Sequence, residues 1–203
     1  MSEDPAECSG PAGKPRRKPR QATPERLRKA ALSYIDRYAT SSANLRDVLM
    51  RRVRRSAQLH GTDLKKAGLW ADELVADLVS RNLVNDFLYA ESRTLSLYRS
   101  GASRRKIEMF LKSKGVEQAD IMAALNALEE TDPDAEFTAA CRHAQRRRLG
   151  PWRRDDRTAR RDRDLAAMAR AGFEYQIASQ IIDAENIETL GEEAIKRAEN
   201  RRG

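Results

Sequence analysis

Apolar residues recur every three or four positions along most of the chain, and this spacing predicts amphipathic helices. Nine short helices are expected in series, and no stretch has the strict alternation of a half-buried strand. Long stretches are dominated by Ala, Leu, Arg and Glu, which favour helix. The expected fold class is therefore all-α.

Capping residues mark the first helix starts. Thr23 suits the N-cap position, and Pro24 suits the first helical position, where no N–H is needed. Either Ser41 or Ser42 caps the second helix. In the first three helices, the side chains expected to face the core are those of Leu27, Ala31, Tyr34, Ile35, Tyr38, Leu45, Val48, Leu49, Val53, Leu74, Val75, Leu78, Val79 and Leu83.

Acidic residues and glycines separate the six later helices. Asp86 is expected to cap the fourth helix, and Asp132 with Pro133 to open the seventh. Gly115 suits a left-handed position after the fifth helix, and Gly172 ends the eighth. The expected core residues of these helices are Phe87, Ala90, Thr94, Leu97, Tyr98, Ile107, Phe110, Leu111, Ile121, Ala124, Leu125, Leu128, Phe137, Ala140, Cys141, Ala144, Leu165, Met168, Ile177, Ile181 and Ile182.

The helices repeat in groups of three. Residues 104–116 match residues 161–173 at an offset of 57 positions (161 − 104). In the first third, Leu45 and Leu49 have the same spacing as Ile107 and Leu111 in the second third. The pattern predicts an elongated array of three tandem three-helix repeats. The matched pairs are Leu111 with Met168, Gly115 with Gly172, and Val116 with Phe173.

The expected division places repeat one at residues 23–85, repeat two at 86–131 and repeat three at 132–185. The apolar pattern loosens near residues 55–69, and we interpret this stretch as an extra loop in the first repeat. A basic, proline-rich N-terminal tail (1–22) is expected to be disordered, and a charged C-terminal tail occupies 186–203.

The charge balance favours an anionic partner. Lysine and arginine total 39 against 31 aspartates and glutamates, which gives a net charge of +8. Such a balance is the electrostatic footprint of nucleic-acid binding, although a solvated basic surface gives the same balance. The run KPRRKPR at 14–20 allows the same two interpretations: it contacts a phosphate backbone, or it only aids solubility.

Basic clusters recur along the predicted array. Each is either a solvated surface or part of a stripe that follows a polyanion, without reading its base sequence. Trp152 either stacks on a base, anchors a partner, or fills a gap between repeats. The candidate contact residues for a polyanionic partner such as DNA are Arg51, Arg52, Arg54, Arg55, Arg104, Arg105, Lys106, Arg146, Arg147, Arg148, Trp152, Arg153 and Arg154.

Catalytic and metal-binding patterns are missing from the sequence. The two histidines, His60 and His143, lack metal-ligand spacing to a suitable partner, and there is no phosphate-binding glycine loop. Cys8 and Cys141 lie far apart, which argues against a disulfide framework and fits a reducing compartment. No apolar run approaches the ~18 residues of a membrane span, so we expect a cytoplasmic protein. Because catalytic and metal-binding patterns are missing, we expect that it is not an enzyme and needs no cofactor. We also expect a monomer.

Four segments along the chain resemble parts of the RecX family pattern. The run DELVADLVSRNLVNDFLYAESR at 72–93 is similar to a family signature in which a leucine-rich helix ends in a turn with an Asp, followed by an aromatic residue and Ala. SRRKIEMFLKSKGV at 103–116 resembles the second signature, and DLAAMARAGFEYQIASQII at 164–182 the end of the third repeat. The opening LSYIDRYATSSANLRDVLMRR at 32–52 also fits, so the resemblance covers residues 26–184.

The resemblance implies a regulatory protein that binds the filament of the RecA recombinase on DNA and restrains its ATPase and strand-exchange activities. It also implies that the array lies in the groove of that filament. Two other hypotheses remain at this stage. One is a helix-turn-helix transcription regulator, because three-helix units are common in that class. The other is a helical adaptor with no nucleic-acid role.

Overall fold

The computed structural model describes residues 20–154 and 156–192, and every regular element in these residues is helical, which confirms the all-α fold class. Residues 1–19, most of the predicted N-terminal tail, lie outside the described residues. The helices are α1 (Pro24–Ile35), α2 (Ser42–His60), α3 (Leu64–Ser80), α4 (Asp86–Arg99), α5 (Arg104–Ser113), α6 (Gln118–Thr131), α7 (Ala135–Arg147), α8 (Arg157–Arg170) and α9 (Tyr175–Asp183), with a 3-10 turn at Gly150–Trp152 and helical residues at 187–192.

The helices pack mainly within consecutive groups of three. Helix α1 contacts α2 and α3, α4 contacts α5 and α6, and α9 contacts both α7 and α8. Residues 22–84 form one apolar core. A second, larger core runs from residue 89 to residue 190 and joins the two later groups. The two later groups therefore share one core, whereas the first group has a core of its own.

The predicted loop in the first repeat is wrong. Helix α2 continues to His60 and α3 begins at Leu64, so the connection is only residues 61–63. Gly61 ends α2 with a φ of 63°, and Asp63 caps α3 by accepting from two backbone N–H groups. The pattern loosened because the leucines of these helix ends are exposed, whereas the buried positions are occupied by the small residues Ser56, Ala67 and Gly68. The extra residues lengthen two helices.

Most predicted core residues are buried, but four are exposed. Tyr38 lies beyond the end of α1, and Leu83 lies in the turn after α3, so helical spacing does not apply to either. Val79 and Phe87 lie within helices but face solvent. Buried residues that the pattern missed include Tyr89 on α4, and Val84 and Leu190 outside the nine helices.

The Asp86 prediction also needs correction. The N-cap of α4 is Asn85, whose side chain accepts from Leu88 N at 2.9 Å. Asp86 instead accepts from the backbone N–H of Ser42 at 2.7 Å and from the Ser42 hydroxyl at 2.6 Å. Its carboxylate thus stabilises the first turn of α2, so it joins two groups of helices. Ser41, which accepts from Asn44 N, is the N-cap of α2.

Helix α7 begins two residues later than predicted. Asp132 and Pro133 form a turn, in which Asp132 Oδ1 accepts from Asp134 N at 3.1 Å, and the helix starts at Ala135. The Tyr98 hydroxyl donates to the other carboxylate oxygen of Asp132. Asp132 therefore links this turn to α4 and does not cap α7.

The sequence repeat has a structural counterpart at the two junctions between groups. Ser41 Oγ donates to the carbonyl of Lys114 at 2.5 Å, and Ser103 Oγ donates to the carbonyl of Ala171 at 2.7 Å. Each accepting carbonyl immediately precedes a glycine with positive φ, 69° at Gly115 and 94° at the glycine after Ala171. The same contact, built from equivalent residues, therefore connects consecutive groups.

A carboxylate from the following group completes each junction. Glu136 of α7 accepts from Arg104 N at 2.8 Å, just as Asp86 of α4 accepts from Ser42 N. Burial raises the pKa of Glu136 despite this hydrogen bond and the nearby Arg104. The two carboxylates thus lie at the N-termini of α2 and α5, where the helix dipole favours negative charge.

Candidate nucleic-acid interface

An open groove of about 730 Å³ lies between α1 and α2. Its floor is apolar and is formed by Ala22, Leu27, Ala30 and Val48. Six of the described residues that line the groove are cationic and none is acidic. The six cationic residues are Arg20, Arg26, Lys29, Arg51, Arg52 and Arg55.

Helical spacing places these cations on two facing walls. Arg51 and Arg55 are four residues apart on α2, and Arg26 and Lys29 are three apart on α1, so each pair lies on one helix face. Arg54 belongs to the same sequence cluster and is exposed, but it is not among the groove residues.

The start of α1 is fixed against α2 by a buried hydrogen bond. Ala22 N donates to Ser56 Oγ at 2.7 Å, and that hydroxyl also pairs with Thr62 Oγ1 at 2.7 Å. Ser56 is 1% exposed, so the contact is shielded from water. This contact holds the chain beside α2 and brings Arg20 to the groove.

Two cations of these helices that lie outside the groove are paired with α3. Arg28 lies 3.7 Å from Asp77, and Arg46 Nε donates to Asp72 at 2.5 Å. By contrast, none of the six groove cations takes part in an ion pair within the described residues. With six cations and no acidic side chain in its lining, the groove has a positive charge that favours an anionic ligand.

The second predicted cluster lies at the N-terminus of α5. Arg104 forms an ion pair with Glu129 of α6, while Arg105 and Lys106 are exposed. Lys106 N donates to Ser103, the N-cap of the helix. This cluster belongs to a different helix from the groove and is not among the groove residues.

The third cluster divides into exposed and buried members. Arg146, Arg147, Arg148 and Arg154 are exposed. Trp152 is partly buried and packs against the larger core, and the Arg153 side chain is 18% exposed. The 3-10 turn that contains Trp152 packs mainly against α7, α8 and α9, which all belong to the third group of helices.

Arg153 pairs with a buried acid that occupies a core position. Asp164 is 2% exposed and accepts from Arg153 Nη2 at 2.5 Å and from Gly150 N at 3.0 Å. Burial acts to raise the pKa of Asp164, but the hydrogen bonds from Arg153 and Gly150 hold it below its usual value. In the repeat alignment this position corresponds to Ile107, a buried core residue.

Other ionisable groups do not assemble into a site. The described side chains include no group of three or more His, Cys, Asp or Glu residues that could hold a metal ion. His143 is buried with its ring 5.5 Å from that of Phe173, and burial together with Arg146 lowers its pKa. None of the helices in the described part of the chain combines the length and apolar character that a bilayer crossing requires.

Sequence reasoning found one wall of the groove and missed the other. The α2 arginines were predicted from the run RRVRR, and Arg20 lies in the run KPRRKPR, for which phosphate contact was one of two interpretations, but Arg26 and Lys29 were not predicted. Arg26 and Lys29 are three residues apart, and this spacing indicates that both cations lie on one face of α1. Whether this face of α1 lies opposite the α2 arginines depends on how α1 packs on α2, which the spacing does not show.

The fold and the groove define a helical-repeat protein with a cationic surface. A family model described as RecX, second three-helix domain, matches residues 85–125. The regulatory protein RecX of Myxococcus xanthus is 43% identical over 170 residues, covering 83% of this chain and 90% of the relative. That of Agrobacterium fabrum is 31% identical over 157 residues, covering 76% and 80%.

The chain therefore belongs to the RecX family of regulatory proteins. Solved structures agree with the fold. The crystal structure of RecX from Lactobacillus salivarius has a TM-score of 0.56 at 20% identity and covers 79% of this chain and 94% of its own. A second crystal structure, of regulatory protein RecX, has a TM-score of 0.57 at 17% identity, covering 79% and 72%.

Proposed function

We propose that this chain is a cytoplasmic, monomeric regulator, without enzymatic activity of its own, that binds the RecA–DNA filament and lowers RecA ATP hydrolysis and strand exchange. The observation that carries the proposal is the cationic groove between α1 and α2 in a chain of the RecX family. A filament of protein on DNA presents a repeating polyanion, and a repeat protein offers several contacts to it at once.

Tandem geometry supports this mode of binding. Many weak contacts along one ligand add up when the modules are held at fixed separations, because each further contact is intramolecular. The hydrogen bonds from Ser41 and Ser103 provide such fixed separations between consecutive groups of helices. We propose residues 23–85, 86–131 and 132–185 as the three modules.

The exposed cations of the three clusters are the proposed contacts. Arg51, Arg52, Arg54 and Arg55 serve the first module, with Arg104, Arg105 and Lys106 in the second and Arg146, Arg147, Arg148 and Arg154 in the third. Arg104 has an intramolecular partner in Glu129 that a phosphate would have to displace. Arg153 and Trp152 support the contacts by holding α8 and the 3-10 turn in place.

The test is a titration of the chain into RecA that is hydrolysing ATP on single-stranded DNA. We expect the hydrolysis rate to fall as the chain approaches the RecA concentration. Neutralising the second cluster by Arg104→Gln, Arg105→Gln and Lys106→Gln should shift the inhibition curve to higher concentration, because phosphate contacts are lost.

The matched control also removes three positive charges, but from arginines that form ion pairs with aspartates of α3. Arg28→Gln, Arg46→Gln and Arg81→Gln change cations that are bound to Asp77 or Asp72 on α3. This variant should inhibit like the unmodified chain, since surface ion pairs contribute little to stability. A hydrolysis rate unchanged at every concentration of the unmodified chain would contradict the proposed function.

A further inference from the structure

The α1–α2 groove has the features of a built ligand site on both of its walls. Cations from α2 face cations from α1, and the segment before α1 adds Arg20. The buried contact between Ala22 and Ser56 fixes this arrangement before any ligand arrives. Cations held in this way, with no acidic side chain in the groove lining, are preorganised for a polyanion.

We propose that this groove binds the backbone of a single nucleic-acid strand. Helices in contact have axes about 8–10 Å apart, so a groove between them has room for one backbone and cannot enclose a duplex. The cations on the two walls would take phosphates, and the apolar floor of Leu27, Ala30 and Val48 would face sugars.

The composition of the groove also predicts its selectivity. Its lining includes no aromatic side chain among the described residues, so bases have no stacking platform there. Binding should therefore be independent of base sequence and dominated by phosphate contacts. The proposal assigns to Arg20, Arg26 and Lys29 a role equal to that of the α2 arginines. It deepens the proposed function, on which it rests, by naming the strand-binding site.

Binding of a fluorescein-labelled oligothymidylate to the purified chain, followed by anisotropy without recombinase, tests the proposal. One variant neutralises the α2 wall (Arg51→Gln, Arg52→Gln, Arg55→Gln) and a second neutralises the opposite wall (Arg20→Gln, Arg26→Gln, Lys29→Gln). Each should weaken binding about tenfold or more and reduce the slope of log affinity against log salt by about 2.

The control is again Arg28→Gln, Arg46→Gln and Arg81→Gln, which removes equal charge from residues paired with α3. It should retain the affinity within about twofold, because these cations are locally compensated. If the control loses as much affinity for the oligothymidylate as the two wall variants, the proposed site is wrong, since net charge alone would then explain binding. Unchanged melting temperatures show that the variants are folded.

Two further outcomes separate the alternatives. Displacement of the strand by polyglutamate at lower concentration than by unlabelled oligothymidylate would overturn the proposal in favour of an acidic protein segment. Wall variants that lose strand binding but still slow RecA ATP hydrolysis support the groove and show that filament regulation does not depend on it. Wall variants that keep strand binding overturn the groove, even where ATP hydrolysis still responds to the chain.

Discussion

Replacing Asp164 with alanine should lower the free energy of unfolding by about 3–5 kcal/mol, because it removes one charge of a largely buried ion pair. The carboxylate accepts from Arg153 at two positions and from Gly150 N, and it is 2% exposed. Without it, the hydrogen bonds that Arg153 and the backbone N–H of Gly150 donate to this carboxylate are lost in a site with little access to water. Urea unfolding followed by circular dichroism measures the loss.

Asp162→Ala is the matched control. Asp162 lies on the same helix, its side chain is 99% exposed, and it faces Arg161 at 3.6 Å. Its removal should change the free energy of unfolding by no more than about 0.5 kcal/mol. A similar effect for the two aspartates would contradict the structural role of Asp164.

The Asp164 contribution should also depend on pH. Because its folded pKa is lowered, the stabilisation is present above the unfolded pKa and is lost as pH falls through the folded pKa. The stability difference between the unmodified chain and Asp164→Ala should therefore be constant near neutral pH and shrink below pH of about 4.

The second large effect is expected at the junction between the first two groups of helices. Gly115 has a φ of 69°, and a Cβ at this position would lie 2.4 Å from the Cβ of Ala43 on α2. Gly115→Ala should lower the free energy of unfolding by about 2–4 kcal/mol, combining the left-handed backbone cost with overpacking. Both terms act on the contact that Ser41 makes with Lys114.

Gly61→Ala separates the two terms. Gly61 has a φ of 63°, but a Cβ added there would have no other group within 4 Å. This variant should lose only about 1–2 kcal/mol. Combining Gly115→Ala with Ala43→Gly should cost less than the sum of the single changes, because the steric overlap is removed. Equal losses for Gly61→Ala and Gly115→Ala would contradict the close approach at the junction.

Local pattern predicted the helices and their repeat well. Leu111 and Met168 were placed in the core from spacing alone, and both are buried. Gly115 was assigned a left-handed position, and its φ is positive. These features depend on neighbours within a few residues, which is the range over which helical periodicity and capping act.

Features that depend on distant partners were not predictable in this way. Asp86 was interpreted as a local cap, but its partner Ser42 is 44 residues away. Asp164 was overlooked because its position in the repeat is apolar in the preceding copy. The groove required knowledge of which face of α1 meets α2, so the pattern predicted the α2 arginines without Arg26 and Lys29.

Co-sedimentation with preassembled RecA filaments on single-stranded DNA tests the central claim most directly. The salt concentration is set where the chain no longer sediments with the same DNA without RecA, since phosphate binding alone weakens steeply with salt. The account predicts that the chain still pellets with the filaments, at a level that saturates with its concentration. A chain that remains in the supernatant at every concentration would contradict the claim that it binds the RecA–DNA filament.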